Sequence, residues 1–159
     1  MSKTVVKVEH VNAFVASTME TFTKMVGVPA KPGKITLKKD AKYDYDISGM
    51  IGLSGDAKGM VSLCFTKAAA LKVSNKFAGA DNRELNGEVC DCIGELANIV
   101  VGNAKKGLEG FNVSISLPTV IQGNNHQIME PKEVYSFTIP FETELGSFHL
   151  IVCLKAAES

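Results

Sequence analysis

The chain opens on a helical repeat. Val8, Val11, Val15, Met19, Phe22 and Val26 are spaced by threes and fours, which predicts an amphipathic helix from about Lys7 to Val26. Gly27 and Pro29 end it, and Pro29 to Gly33 reads as a turn. The period then drops to two. Tyr43, Tyr45, Ile47, Ile51 and Leu53 fall on one face of a strand, and Gly49 and Gly52 interrupt it as sites of close backbone approach or a bulge. Ser54 to Gly59 predicts a hairpin connection into a second strand carrying Val61, Leu63 and Phe65. Ile35 to Lys39 is a candidate strand ahead of both.

Two helices follow. Thr66 caps one over about Lys67 to Ala78, with Ala70, Val73 and Phe77 as its apolar stripe and Gly79 as its stop. A longer one is expected from near Asn82, where Asp81 and Glu84 have capping-box spacing, to Lys105, Lys106 and Gly107. Strands then return. Phe111 to Leu117 is one, and Thr119 to Gln122, after Pro118, is a candidate second. Gly123 to Lys132 is polar and reads as a loop. Tyr135, Phe137, Ile139 and Phe141 alternate and are answered by Phe148, Leu150, Val152 and Leu154, a C-terminal hairpin. Hairpin-joined strands are antiparallel, so the expected class is α+β: long helices packed on an antiparallel sheet, in one domain over residues 1–159.

Composition narrows the function classes. Seventeen basic and seventeen acidic residues cancel, which argues against a broad nucleic-acid or anionic-membrane surface. The chain has no apolar run long enough to span a membrane, and Met1 to Thr4 lacks the apolar core of a signal peptide, so a soluble, cytoplasmic protein is expected. Arg83 is the only arginine, so phosphate chemistry here cannot rest on an arginine cluster. Cys90 and Cys92 form C-x-C rather than C-x-x-C, and Cys64 and Cys153 lie in apolar runs, the pattern of reduced thiols. His10, His126 and His149 have no metal-ligand spacing. Nucleotide-binding glycine loops and a nucleophile elbow are also missing. If this is an enzyme, most of its catalytic equipment must come from elsewhere.

The informative segment is Glu84 to Gly102. At about 100° per residue, Glu84, Glu88, Asp91, Glu95, Asn98 and Gly102 fall within a sector of about 80°. Leu85, Val89, Cys92, Ile93, Leu96, Val100 and Ala104 lie across from it. The helix is therefore apolar around most of its girth and carries one narrow polar ribbon. On that ribbon Glu95 and Asn98 are neighbours at i, i+3, with Cβ atoms about 5–6 Å apart. The carboxylate can hold a cation or accept a proton, and the carboxamide can donate to one oxygen while accepting from a water. Taken alone, such a pair is the ordinary solvated face of an amphipathic helix. Gly94 and Gly102 each cost the helix about 1 kcal/mol relative to Ala. They either keep its surface low for a docking partner or serve close packing on the sheet.

Ile93-Gly94-Glu95-Leu96-Ala97-Asn98, with Asp91 before it and Gly102-Asn103 after it, resembles the signature of the CheC/CheX/FliY family of chemotaxis phosphatases, and Pro118-Thr119-Val120 resembles that family's second conserved segment. The order of elements agrees over nearly the whole chain. One Glu-x-x-Asn element, rather than the two of CheC, is the CheX pattern. The resemblance implies a CheC-like fold and hydrolysis of the phosphoaspartate of a CheY-like receiver domain. The receiver would supply the phosphoryl group, Mg²⁺ and a lysine, so this chain needs no cofactor or metal of its own. Glu95 would pair with that lysine and fix the pose. Asn98 would orient the attacking water, and Asp91 and Gly102 would line the docking face. The resemblance also implies a possible homodimer joined at sheet edges. The alternative is a non-catalytic CheC-like module that binds a receiver domain or a flagellar or signalling partner.

Overall fold

The structure, a computed structural model, describes residues 8–37, 44–108, 110–126 and 135–156. Helix α1 runs Val8–Thr21 and passes into a single π-helical turn, Phe22–Val26, closed by Gly27 in the left-handed region with its N–H on the Phe22 carbonyl. Only part of the expected stripe is buried. Val11, Phe22 and Val26 are in the core, but Met19 is 41% exposed, and Phe14 takes its place. The face is wider and more polar than the valine spacing suggests. Ser17 Oγ donates to the Val100 carbonyl at 2.6 Å and Thr18 Oγ1 to that of Phe14 at 2.8 Å, so these hydroxyls are buried without an unpaired donor.

Among the described residues, eight strands form one antiparallel sheet. They are β1 (Lys31–Pro32), β2 (Thr36–Leu37), β3 (Tyr45–Gly55), β4 (Ala57–Phe65), β5 (Val113–Ile115), β6 (Thr119–His126), β7 (Tyr135–Thr143) and β8 (Gly146–Ala156). Their order is β1-β7-β8-β4-β3-β5, with β2 also on β7 and β6 also on β3. The class is α+β, as the alternation of strands and helices implies. Several strand boundaries differ. The hairpin connection expected over Ser54 to Gly59 narrows to Asp56, because β3 and β4 pair as far as Leu53 and Gly59. Lys31–Pro32, inside the expected turn, pairs with Glu142 and Phe141. The strand expected over Phe111 to Leu117 is confined to Val113–Ile115. The polar stretch from Gly123 continues β6 as far as His126 rather than opening a loop. Polarity misleads there because β6 needs no apolar alternation. The pairing is fixed by the backbone, and His126 Nε2 reaches Ser48 Oγ at 2.7 Å while Nδ1 faces the Gly123 carbonyl at 2.8 Å. A carbonyl only accepts, so in the neutral ring Nδ1 carries the proton and Nε2 accepts from the serine. Tyr43, Lys38, Lys39 and residues 127–132 lie outside the described residues.

Helix α2 (Lys67–Ala78) has the expected limits, with Thr66 Oγ1 accepting from the Ala69 N–H and Gly79 at φ +64° closing it. Helix α3 spans Gly87–Lys105. It starts five residues later than Asp81 and Glu84 suggest, because other bonds claim the intervening chain. Asn75 clamps both backbone groups of Asn82 at 2.8 Å, and Asn86 is the true cap, its Oδ1 accepting from the Val89 N–H at 3.0 Å. The core lies between the helices and one face of the sheet. At one end of it the Phe148 ring stacks on Phe22, Phe65 and Phe141 at 4.6, 5.0 and 5.1 Å.

The opposite face carries a smaller buried cluster of Tyr45, Cys64, Ile151 and Cys153. None of the four cysteines is in a disulfide, and burial pushes the Cys64 thiol up to about 12. Among the described residues no helix is long and apolar enough to cross a membrane.

Candidate active site

The polar ribbon is mounted on the best-anchored helix of the molecule. Val89, Cys92, Ile93, Gly94, Leu96, Ala97, Val100, Val101 and Ala104 of α3 are buried. Burying one such aliphatic side chain contributes about 1.5–3 kcal/mol, so Ile93, Leu96 and Val100 alone outweigh what Gly94 and Gly102 cost in helix propensity. The helix crosses β3 at Gly49. A Cβ at Gly49 would lie 2.9 Å from the Ile93 carbonyl oxygen and 3.4 Å from the Ala97 Cβ. The glycine expected to mark a close approach does so, and the approach sets the height of α3 above the sheet.

The residues assigned from the sequence divide cleanly. Asp91 and Glu95 are exposed, and Asn98 and Gly102 are half-buried along the same ribbon. Asp91, Glu95 and Asn98 have no hydrogen-bonded or ionic partner among the described residues. Glu88 is on the ribbon but accepts from the Asn82 side chain at 2.7 Å. Glu84 is not on the helix at all. It precedes the cap and pairs with Lys67 at 2.8 Å, an exposed ion pair worth little. The unpartnered part of the ribbon therefore begins at Asp91 among the described residues.

Between Asp91 and Gly102 the helix surface is also bounded by a strap that the sequence does not connect to it. Pro118 and Val120, at the start of β6, press on Gly94. A Cβ there would meet Val120 Cγ2 at 3.2 Å and the Pro118 Cβ at 3.4 Å. One turn earlier, Cys90 Sγ donates to Gln122 Oε1 at 3.3 Å. Gly94 thus serves packing, whereas a Cβ at Gly102 would meet nothing within 4 Å. The two glycines, indistinguishable in sequence, have different roles. On the far side of α3 sits α1, held by the Ser17 bond to Val100.

Such an arrangement has limited but definite chemistry. A free carboxylate and a free carboxamide stand side by side on a rigid support, a geometry that positions groups on a visiting molecule. Among the described residues, no group of three His, Cys, Asp or Glu side chains is placed to hold a metal ion.

Comparison with known proteins agrees with this picture. Residues 47–142 match the family model described as chemotaxis phosphatase CheX. The CheY-P phosphatase CheX of Thermotoga maritima is 31% identical over 146 residues, covering 89% of this chain and 94% of that protein. Among solved structures, a CheC-like superfamily protein from Shewanella sp. PV-4 superposes with a TM-score of 0.88 at 32% identity, covering 95% of this chain and 100% of that one. The chemotaxis protein CheX from Vibrio vulnificus gives 0.87 at 34% identity, covering 92% and 99%.

Proposed function

This chain belongs to the CheX family of chemotaxis phosphatases, and from that premise we propose that it hydrolyses the phosphoaspartate of a CheY-like response regulator, with Glu95 and Asn98 as the working pair. The observation that carries the assignment is the state of those two side chains. Both are accessible and unpartnered among the described residues, on a helix fixed by nine buried neighbours in its own sequence.

The substrate brings the reactive group. A receiver domain presents an acyl phosphate, its Mg²⁺ and a lysine. Glu95, a free carboxylate, pairs with the lysine and sets the pose. Asn98 accepts a hydrogen bond from a water through its side-chain oxygen and holds it in line with the phosphorus. The water oxygen bonds to phosphorus as the bond to the aspartyl oxygen breaks, releasing inorganic phosphate and leaving the aspartate as carboxylate. Phosphoryl transfer asks mainly for positioning and electrostatics, and acyl phosphates hydrolyse unaided. Fixing one water contributes about 3–4 kcal/mol, a factor of a few hundred, with no shifted base required. Asp91 and Gly102 line the docking face on either side of the pair.

The test is direct. CheY phosphorylated by labelled acetyl phosphate in Mg²⁺ is mixed with catalytic amounts of the protein, and loss of label is followed. Acceleration over the receiver's own decay supports the assignment, and decay at the unaided rate refutes it.

A further inference from the structure

One cross-strand pair grips α3 at two points. Gly49 of β3 and Val120 of β6 are directly opposite each other in the sheet. A Cβ at Gly49 would lie 2.9 Å from the Ile93 carbonyl oxygen, and a Cβ at Gly94 would lie 3.2 Å from Val120 Cγ2 and 3.4 Å from the Pro118 Cβ. Gly49 thus bears on the underside of the helix, and Val120 with Pro118 on its flank. Gly94 precedes Glu95 and lies one turn before Asn98, about 40° from it around the axis. The flank contact is stiff. Valine is restricted at χ1, and the proline ring is fixed. Their backbone is tied to β3 by the pairing of Thr119 to Gln122 with Ile47 to Met50. Just before it, the Ser116 N–H bonds the Gly52 carbonyl at 2.9 Å and Ser116 Oγ accepts from the Gly52 N–H at 2.8 Å.

We propose that Gly94 and Val120 are positioning residues for the hydrolysis: their contact fixes the rotation of α3 and so the place of the Asn98 carboxamide. The inference rests on the function proposed above. Carbon atoms in contact sit about 3.5–4.0 Å apart, so a methyl at Gly94 turns the helix by about 0.3 Å or more at that point. Helix Cα atoms lie about 2.3 Å from the axis and side chains reach about 5–6 Å, so the tips of the ribbon swing about twice as far. Working groups need placement within about 0.5 Å, and a 1 Å error costs about a hundredfold in rate. The longer Glu95 side chain can take up such a swing and still meet a lysine. The short Asn98 side chain cannot keep a water in line with phosphorus. The contact therefore acts on kcat and leaves KM nearly unchanged. Gly94 itself is buried and meets no visiting molecule.

Turnover of CheY-P is measured across receiver concentrations for the parent, Gly94→Ala, Val120→Ala and the double variant, each at a temperature where its circular dichroism shows it folded. Gly94→Ala crowds the contact and is expected to lower kcat about tenfold, with KM within about twofold of the parent's. Val120→Ala loosens the same contact and is expected to lower kcat about threefold. The double variant moves a methyl from the strap to the helix, refills the contact, and is expected to exceed either single variant in kcat. A purely structural role would give losses that add. Should Gly94→Ala fail to fold, Val120→Ala and the double variant decide: a double above Val120→Ala supports the inference, and one at or below it overturns it. Gly94→Ala at the parent's kcat also overturns it, as does a raised KM with unchanged kcat, which would mean that the methyl meets the receiver rather than the strap. In these cases an active parent leaves the phosphatase assignment standing. A parent that does not accelerate the decay of CheY-P refutes that assignment and this inference with it.

Discussion

Gly49 of β3 and Ile93 of α3 touch so closely that a methyl group on the glycine would lie 2.9 Å from the isoleucine's carbonyl oxygen and 3.1 Å from its Cγ2. The side-chain atom can turn aside, but the carbonyl belongs to a helix buried on most of its surface and cannot. Gly49→Ala should therefore push α3 off the sheet and cost about 1–3 kcal/mol of stability, the usual price of overpacking. Urea denaturation checks this. An unchanged or raised midpoint would mean that the helix rides higher on the sheet than described.

Gly102 predicts the opposite sign. It lies within α3, and a Cβ there meets nothing within 4 Å. Gly102→Ala should stabilise the protein by about 0.5–1 kcal/mol through helix propensity alone. If the ribbon docks on a receiver, the added methyl also crowds the partner and raises KM. Higher Tm together with higher KM is the expected result, and a lower Tm would contradict the open surroundings described for this residue.

Those two glycines bear on how much the sequence reveals. Alternation, caps and stops located the class, the hairpins, all of α2 and the site helix, because each rests on local chemistry: Thr66 and Gly79 bound α2 wherever it packs. The start of α3 was not legible, since it depends on the Asn75 side chain of α2 reaching the backbone of Asn82 in the connecting loop, a contact that no helical periodicity shows. Phe14 rather than Met19 is buried on α1, whose contact with α3 includes the Ser17 hydroxyl on the Val100 carbonyl, a polar contact that hydrophobic spacing ignores. For the site, helical geometry put Asp91, Glu95, Asn98 and Gly102 on one line. The strap at Pro118 and Val120 is 24 or more residues along the chain from Gly94, and no local pattern joins them.

His149 supplies a pH signature of folding rather than catalysis. Its Nδ1 lies 2.7 Å from the Tyr45 hydroxyl, the two rings meet edge to face at 5.6 Å, and burial lowers its pKa below the ordinary histidine value. The fold thus favours the neutral ring. The stabilisation is fully present above the unfolded pKa of about 6.5 and is lost as pH falls from there towards the lower folded value. Thermal unfolding between pH 7.5 and 5 should show the parent losing more Tm than His149→Asn, which has no ring to protonate. Parallel curves for the two proteins would remove His149 from the acid response.

The central claim divides labour between neighbours one helical turn apart, and the dephosphorylation of CheY-P at saturating and limiting receiver concentrations tests it in a single experiment with Asn98→Ala and Glu95→Ala. Asn98→Ala is expected to lower kcat by a factor of about a hundred or more with little change in KM, because it loses only the positioned water. Glu95→Ala is expected to raise KM as well, because it also loses the pose. An Asn98→Ala protein that turns over CheY-P at the parent's saturated rate would contradict the account.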